Sequence, residues 1–232
     1  MSRGPFSNDG SPFQIIEVKL LFSENGEPYL TSAIVLAGGY SRRMGIDKAL
    51  LTTSGQSHLA IIVDKLSRLS DDVTIIRRKD QTKLVTTAHV AFDIRPGEGP
   101  LAGLEVGLSQ ARHEYVICLS IDAPFVRIAL LRYLVSLISQ QERPWQAVIP
   151  MLDNHLYPMV SVYHISCLSE IQQRLDQKKR RVIDLIDNLS TRYVPQEEWE
   201  PMDPAHESFM MLNSLDDYEK VLQRLAAGGF TG

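Results

Sequence analysis

The chain has 232 residues, 44% of them apolar and 22% charged, and a formal net charge of −4. That length allows one domain with a substantial core. Two cysteines, Cys118 and Cys167, exclude a disulfide framework or a cysteine-based metal site and read as core packing. The acidic balance supplies no general attraction for nucleic acid, and no apolar run approaches the roughly 18 residues that a bilayer demands. Neither nucleic acid nor membrane is expected as a partner. The amino terminus lacks a charged segment followed by an apolar one, so the expected location is cytoplasmic.

Residues 1–30 read as an amino-terminal extension: a Gly-, Pro- and Ser-rich leader, then an alternating strand over 14–22 and an Asn25-Gly26 turn signal that suggest a hairpin. Residues 31–227 read as the single domain, and 228–232 as a flexible tail. Within the domain, Ala33-Ile34-Val35-Leu36 is short and apolar throughout, as in a strand buried on both faces. Leu59, Ile62, Val63, Leu66 and Leu69 fall at helical spacing behind Ser57, which can cap. Strands follow over 73–76 and 88–92, a helix over 103–112, a strand over 115–120, a helix over 128–139 and a strand over 147–151. Strands alternating with helices imply parallel pairing, right-handed crossovers and ligands gathered at the carboxyl edge of the sheet.

The second half is less regular. Asp153-Asn154-His155 followed by 156–164 reads as a hairpin, helices are expected over 166–178 and 182–188, and 192–194 is a short strand candidate. A further strand is expected over 208–212. A closing helix over 215–225 then starts at Asn213 or Ser214.

The residues with chemical potential lie at the strand ends. Gly38 and Gly39 let backbone approach a phosphate or base without Cβ atoms, and Arg42, Arg43 and Lys48 add positive charge. The spacing is neither that of a Walker A loop nor that of the dinucleotide fingerprint. Asp122 is delivered by an apolar strand and followed by Pro124. It suits a hard divalent cation or, alternatively, a helix cap. Asp93 ends another strand ahead of Pro96-Gly97-Glu98-Gly99-Pro100-Leu101-Ala102-Gly103. A carboxylate there can accept both N1–H and the 2-amino group of guanine, and a helix start offers unsatisfied amides. Lys178-Lys179-Arg180-Arg181 is either an exposed helix start or a phosphate cradle, and Arg77 either reaches toward a ligand or is solvated. The six histidines show no ligand spacing, and Ser41 lacks a paired His and Asp pattern.

Residues 36–51, as L-A-G-G-x-S-x-R-M-G-x-x-K-x-L-L, resemble the amino-terminal signature of nucleotidyltransferases, and most closely of the molybdenum cofactor guanylyltransferases. Tyr157-Pro158-Met159, Arg180-Arg181-Val182 and the Phe209–Asp217 segment are similar to later motifs of that family, so the likeness covers about residues 32–225. It implies a three-layer αβα, Rossmann-like nucleotidyltransferase fold with a mostly parallel central sheet, acting on GTP and molybdenum-molybdopterin with Mg2+. It implies that Leu36, Ala37, Gly38, Gly39, Lys48, Asp93, Gly99, Pro100, Leu101, Gly103 and Asp122 bind GTP. Asp122 would also ligate the metal, Lys48 and Asp122 would serve catalysis with Arg43 near the leaving group, and Arg180, Arg181 and Asn213 would hold the acceptor. A monomer or weak oligomer is expected, with a molybdoenzyme or cofactor-delivery protein as a partner left open. The sequence departs from the family at Ile121, Met211 and Ser214-Leu215, and has Arg77 where a strand-end asparagine is usual. Cytidylyltransferases and sugar-phosphate nucleotidyltransferases are the rivals within the class, and a nucleotide-binding module without turnover is the rival outside it.

Overall fold

The computed structural model describes residues 30–39, 47–53, 55–138 and 145–226. The expected leader, the 14–22 strand, Arg42, Arg43 and the tail lie outside the described residues. Ten strands are described: β1 (Thr31–Leu36), β2 (Thr52–Thr53), β3 (Gln56–Ser57), β4 (Asp72–Arg77), β5 (His89–Phe92), β6 (Tyr115–Ser120), β7 (Ala147–Leu152), β8 (His155–Leu156), β9 (Val160–His164) and β10 (Thr191–Val194). The α-helices are α1 (His58–Ser67), α2 (Pro100–Gln110), α3 (Ile128–Ile138), α4 (Leu168–Asp176), α5 (Val182–Ile186), α6 (Gln196–Trp199) and α7 (Leu215–Ala226).

The main sheet has the order β10-β7-β9-β6-β1-β4-β5, with β8 paired to β7, while β2 and β3 form a separate small ladder. β1 lies between β6 and β4 and is parallel to both, and β4 is parallel to β5. Alternation along β1 explains the layers. Ala33 and Val35 join one apolar cluster with Leu59, Ile62 and Leu66 of α1 and Leu130, Leu131 and Leu134 of α3. Ile34 points the other way, into a second cluster with Leu101, Leu104 and Leu108 of α2 and Ile171 and Leu175 of α4. β6 divides likewise, with Ile117 and Leu119 on the first face and Val116 and Cys118 on the second. A strand with a core on each side is apolar through its central positions, which is why Ala33–Leu36 and Val116–Leu119 read as buried strands. Cys118 and Cys167 are both free and buried, as expected.

α2 packs unusually close to β1. A Cβ on Gly107 would stand 2.5 Å from Ile34 Cδ1, and one on Gly103 would stand 3.0 Å from Leu36 Cδ2. These two glycines, four apart on one helix face, draw the amino end of α2 down onto the strand that carries the Gly38-Gly39 turn.

The sheet is mostly parallel, as expected, and the hairpin is present: Asp153 and Asn154, at φ 49° and 61°, turn β7 into β8, and after Tyr157 to Met159 interrupt the ladder, β9 runs antiparallel to β7 on one side and to β6 on the other. Two expectations are corrected. The α2 helix starts at Pro100 rather than at 103, because Gly99, at φ 80°, ψ −165°, supplies a cap only glycine takes easily. The strand expected over 208–212 is absent. The Asp203 carboxylate accepts from the amides of Glu207 (3.0 Å) and Ser208 (2.8 Å) and folds this stretch into a 3-10 turn over Glu207–Phe209. Ser214, not Asn213, caps the closing helix: its Oγ accepts from the Asp217 amide at 3.1 Å, and Asp217 Oδ2 accepts from the Ser214 amide at 2.9 Å.

Candidate active site

The parallel strands deliver their carboxyl ends to one edge, and hydrogen bonds beyond the ladder hold the loops together there. Ala37 N–H donates to the Ile76 carbonyl, Asp93 N–H to the Arg77 carbonyl and Ile121 N–H to the Leu36 carbonyl. Between them opens a cleft of about 380 Å³ lined by residues of the β1, β4, β5 and β6 ends and the start of α2. Leu36, Ala37, Gly38, Gly39, Lys48, Asp93, Gly99, Pro100, Gly103 and Asp122 all line it. Ten residues chosen from scattered motifs thus surround one space.

At the β6 end, Lys48 Nζ donates to Asp122 Oδ1 at 2.8 Å, with the two side chains 13% and 27% exposed. Lys48 opens a 3-10 turn, Lys48–Leu50, capped by Asp47, whose Oδ1 accepts from the Ala49 amide at 3.1 Å. Asp122 is fixed from several directions. Its amide donates to Ser120 Oγ (3.2 Å), and its carbonyl accepts from the Leu212 amide (2.9 Å). Lys65 of α1, half-hidden behind the loop, donates to the Pro124 and Val126 carbonyls at 3.0 and 2.9 Å. Burial, reinforced by the nearby Arg127 charge, pushes the Lys65 ammonium down to about 8. The Arg127 amide donates to Ser208 Oγ at 2.9 Å, so the 3-10 turn that replaced the expected strand also supports this loop. His58, at the start of α1, is buried, and desolvation lowers its imidazole to about 4 while the Asp122 charge pulls weakly the other way. Ile121, one of the departures, packs into the core below and leaves Asp122 in place.

The opposite end of the cleft is built differently. Asp93 Oδ1 accepts from the Arg95 amide at 2.7 Å, which orients the carboxylate at the strand end. Gly97 and Gly99 flank Glu98 at φ 85° and 80°, and Glu98 turns outward to Arg180 Nη2 (2.9 Å) and Lys178 Nζ (3.2 Å).

Some expected residues are not where the motifs put them. Leu101 is fully buried among the α2 core residues, so its side chain is packing and only its main chain belongs to the helix start. Arg180 is engaged by Glu98, and Arg181 is exposed beside Asp184 at 3.5 Å; neither is among the described residues that line the cleft. Asn213 is exposed, next to the Leu212 that bonds the Asp122 carbonyl. Arg43 lies outside the described residues. Met211 packs against the core, which is why an apolar residue is accommodated there.

Arg77 is not solvated. Its side chain is 2% exposed and pairs with Asp47 at 2.5 Å. The neighbouring Arg78 lines the cleft instead. Its Nη1 donates to the Gly38 and Gly39 carbonyls at 2.7 and 2.9 Å, and Gln81 Nε2 donates to the Ala37 carbonyl at 3.0 Å. Together they brace the glycine turn from behind. Strand alternation at Arg77-Arg78 separates the two side chains, but Lys65 and Gln81 carried no local signal at all.

The family described as the MobA-like NTP transferase domain matches residues 33–192. A protein of Peptoclostridium acidaminophilum named as a probable molybdenum cofactor guanylyltransferase is 26% identical over 210 residues, covering 88% of this chain and 95% of its own. One of Methanosarcina acetivorans, with the same name, is 30% identical over 205 residues, covering 82% and 89%. The structure of molybdopterin-guanine dinucleotide biosynthesis protein A from Archaeoglobus fulgidus superposes with a TM-score of 0.74 at 24% identity, covering 84% of this chain and 99% of that one. The match spans every strand that feeds the cleft, and with it the chain belongs to the MobA-like NTP transferase family, a nucleotidyltransferase by fold and by ancestry.

Proposed function

We propose that the protein transfers GMP from GTP to molybdenum-molybdopterin, releasing pyrophosphate and forming the guanine dinucleotide cofactor. The observation that carries this reading is the polarity of the cleft: a lysine against a carboxylate at one end, and a carboxylate beside a glycine-lined helix start at the other. A triphosphate fits the first end and a guanine, with two adjacent donors, fits the second. The names of relatives at 26% and 30% identity support guanine over cytosine.

In this reading a terminal phosphate oxygen of the acceptor attacks the α-phosphorus of GTP. The bond to the α–β bridging oxygen breaks, and pyrophosphate departs with that oxygen. No protein nucleophile is needed, and the chain contributes by placing groups and charges. Lys48 meets the phosphates, the Gly38-Gly39 turn admits them without Cβ atoms, and Asp93 accepts from the base edge. Asn213, exposed near Asp122, is the acceptor contact that the geometry supports best; Arg180 meets Glu98 on the base-side rim, and Arg181 stands beside Asp184.

Among the described residues no group of three or more His, Cys, Asp or Glu could hold a metal unaided. Asp122, a partly exposed carboxylate at the cleft, is the donor set expected for Mg2+ carried in on a triphosphate, whose oxygens and water fill the other positions. The ion, when bound, draws negative charge from the phosphates as it develops.

The test is incubation with Mg2+, molybdopterin and either GTP or CTP. Pyrophosphate and a guanine dinucleotide product with GTP are expected. Product with CTP alone refutes the guanine assignment, and tight GTP binding without any product refutes the transferase.

A further inference from the structure

Arg77 is used by nothing so far described, yet it is an expensive residue to keep. It is a guanidinium at 2% exposure on the end of β4, paired with an Asp47 carboxylate that is 17% exposed. Its Nη2 donates to Asp47 Oδ2 at 2.5 Å and to the Thr82 carbonyl at 3.2 Å, while Nη1 is buried without a hydrogen-bond partner among the described residues. A buried ion pair rarely stabilises a fold more than apolar residues of similar volume would, and an orphaned buried donor is unfavourable. Stability therefore does not account for the residue, but geometry does. Asp47 holds Arg77 with one oxygen and caps the Lys48 turn with the other, accepting the Ala49 amide. Lys48 sits on a turn of only three residues, and its ammonium reaches Asp122 across the cleft floor.

We propose that Arg77 is a positioning residue: through Asp47 it ties the short Lys48 turn to β4 and so fixes where the Lys48 ammonium stands in the cleft. The chain of contact runs from the sheet, through one carboxylate, to the cation that meets the nucleotide. Arg77 itself does not line the cleft, whereas Asp47 and Lys48 do. The inference rests on the reading that Lys48 contacts the phosphates of GTP.

The test measures GTP dissociation constants for Arg77→Met, Arg77→Lys and Asp47→Asn, each alone and in a Lys48→Ala background, with thermal melts alongside. Asp47→Asn keeps an oxygen for the Ala49 amide but loses the ion pair, so it carries the test if Arg77→Met does not fold. We expect Arg77→Met and Asp47→Asn each to weaken GTP binding about tenfold, with Arg77→Lys recovering part of the loss. In the Lys48→Ala background the same substitutions should change binding less than about twofold, because the group they position is gone. Equal losses in both backgrounds, or no loss in folded Asp47→Asn, would make Arg77 a fold residue and overturn the proposal. Unchanged binding in Lys48→Ala alone would instead remove the underlying reading of Lys48.

Discussion

The two ends of the cleft are held by opposite means. The Asp122 loop is bolted from inside, by a partly buried lysine, a serine hydroxyl, the Leu212 backbone amide and the Lys48 ammonium. The Asp93–Gly99 rim has one inward tie, Arg95 to the buried Glu105 at 2.9 Å, and is otherwise held from outside, by Arg180 and Lys178, which are 50% and 69% exposed where they meet Glu98. Charges in water contribute little when they pair, whereas polar groups withdrawn from water cost much when they lose a partner. The end proposed for chemistry should therefore be intolerant of substitution, and the end proposed for the base forgiving.

Substitutions at the two ends can break this contrast. The largest effect is expected for Asp122→Ala: turnover should fall by about a thousandfold or more, with a much smaller loss of stability from the Lys48 ammonium left without its partner. Full activity at ordinary Mg2+ would remove the metal role. Lys65→Met leaves two loop carbonyls without their donor, which should cost about 2–4 kcal/mol in denaturant unfolding and lower kcat more than it raises KM for GTP. An unchanged unfolding midpoint would show that the loop is not held from α1. For Lys48→Ala, binding and rate should both weaken, by about ten- to a hundredfold in kcat/KM.

Below these comes a pH effect at the bolted end. The His58 imidazole is lowered from 6.5 to about 4 by burial, so between those values the unfolded chain holds a proton that the folded chain does not. The stability this supplies is complete above pH 6.5 and is lost as the pH falls toward 4, on the order of 3 kcal/mol in all. Urea unfolding at pH 7 and pH 4.5 should show the loss, and His58→Gln should remove this share of it. The smallest effect is expected at the outer rim. Arg180→Ala should alter stability by less than about 1 kcal/mol and KM for GTP by less than about threefold. A severe loss there would mean that this arginine does meet a substrate after all.

The contrast also marks what could be read in the sequence. β1 and β6 were legible because a strand with a core on each face has no room for polar alternation, and the glycine turn and Asp122 were legible because strand ends in such a sheet face a ligand. What stayed hidden is the support. Lys65 looks like any surface lysine of an amphipathic helix, and only the fold brings it under Pro124 and Val126. The 208–212 stretch has strand composition, but two amides captured by Asp203 outweigh that preference. The run Lys178–Arg181 allows both an exposed helix start and a phosphate cradle, because a charge run does not disclose that Glu98 meets Arg180. Local pattern reports burial and turns; tertiary polar contacts leave no spacing behind.

The central claim is one orientation of a guanine nucleotide across the carboxyl edge of the sheet, and a crystal structure of the protein with GTP and Mg2+ tests it most directly. The account predicts the base against Asp93 and Gly99 and the triphosphate between Lys48 and Asp122, with the ammonium moved off the carboxylate onto phosphate oxygen. A nucleotide bound with its phosphates toward Asp93, or outside this cleft, would contradict it.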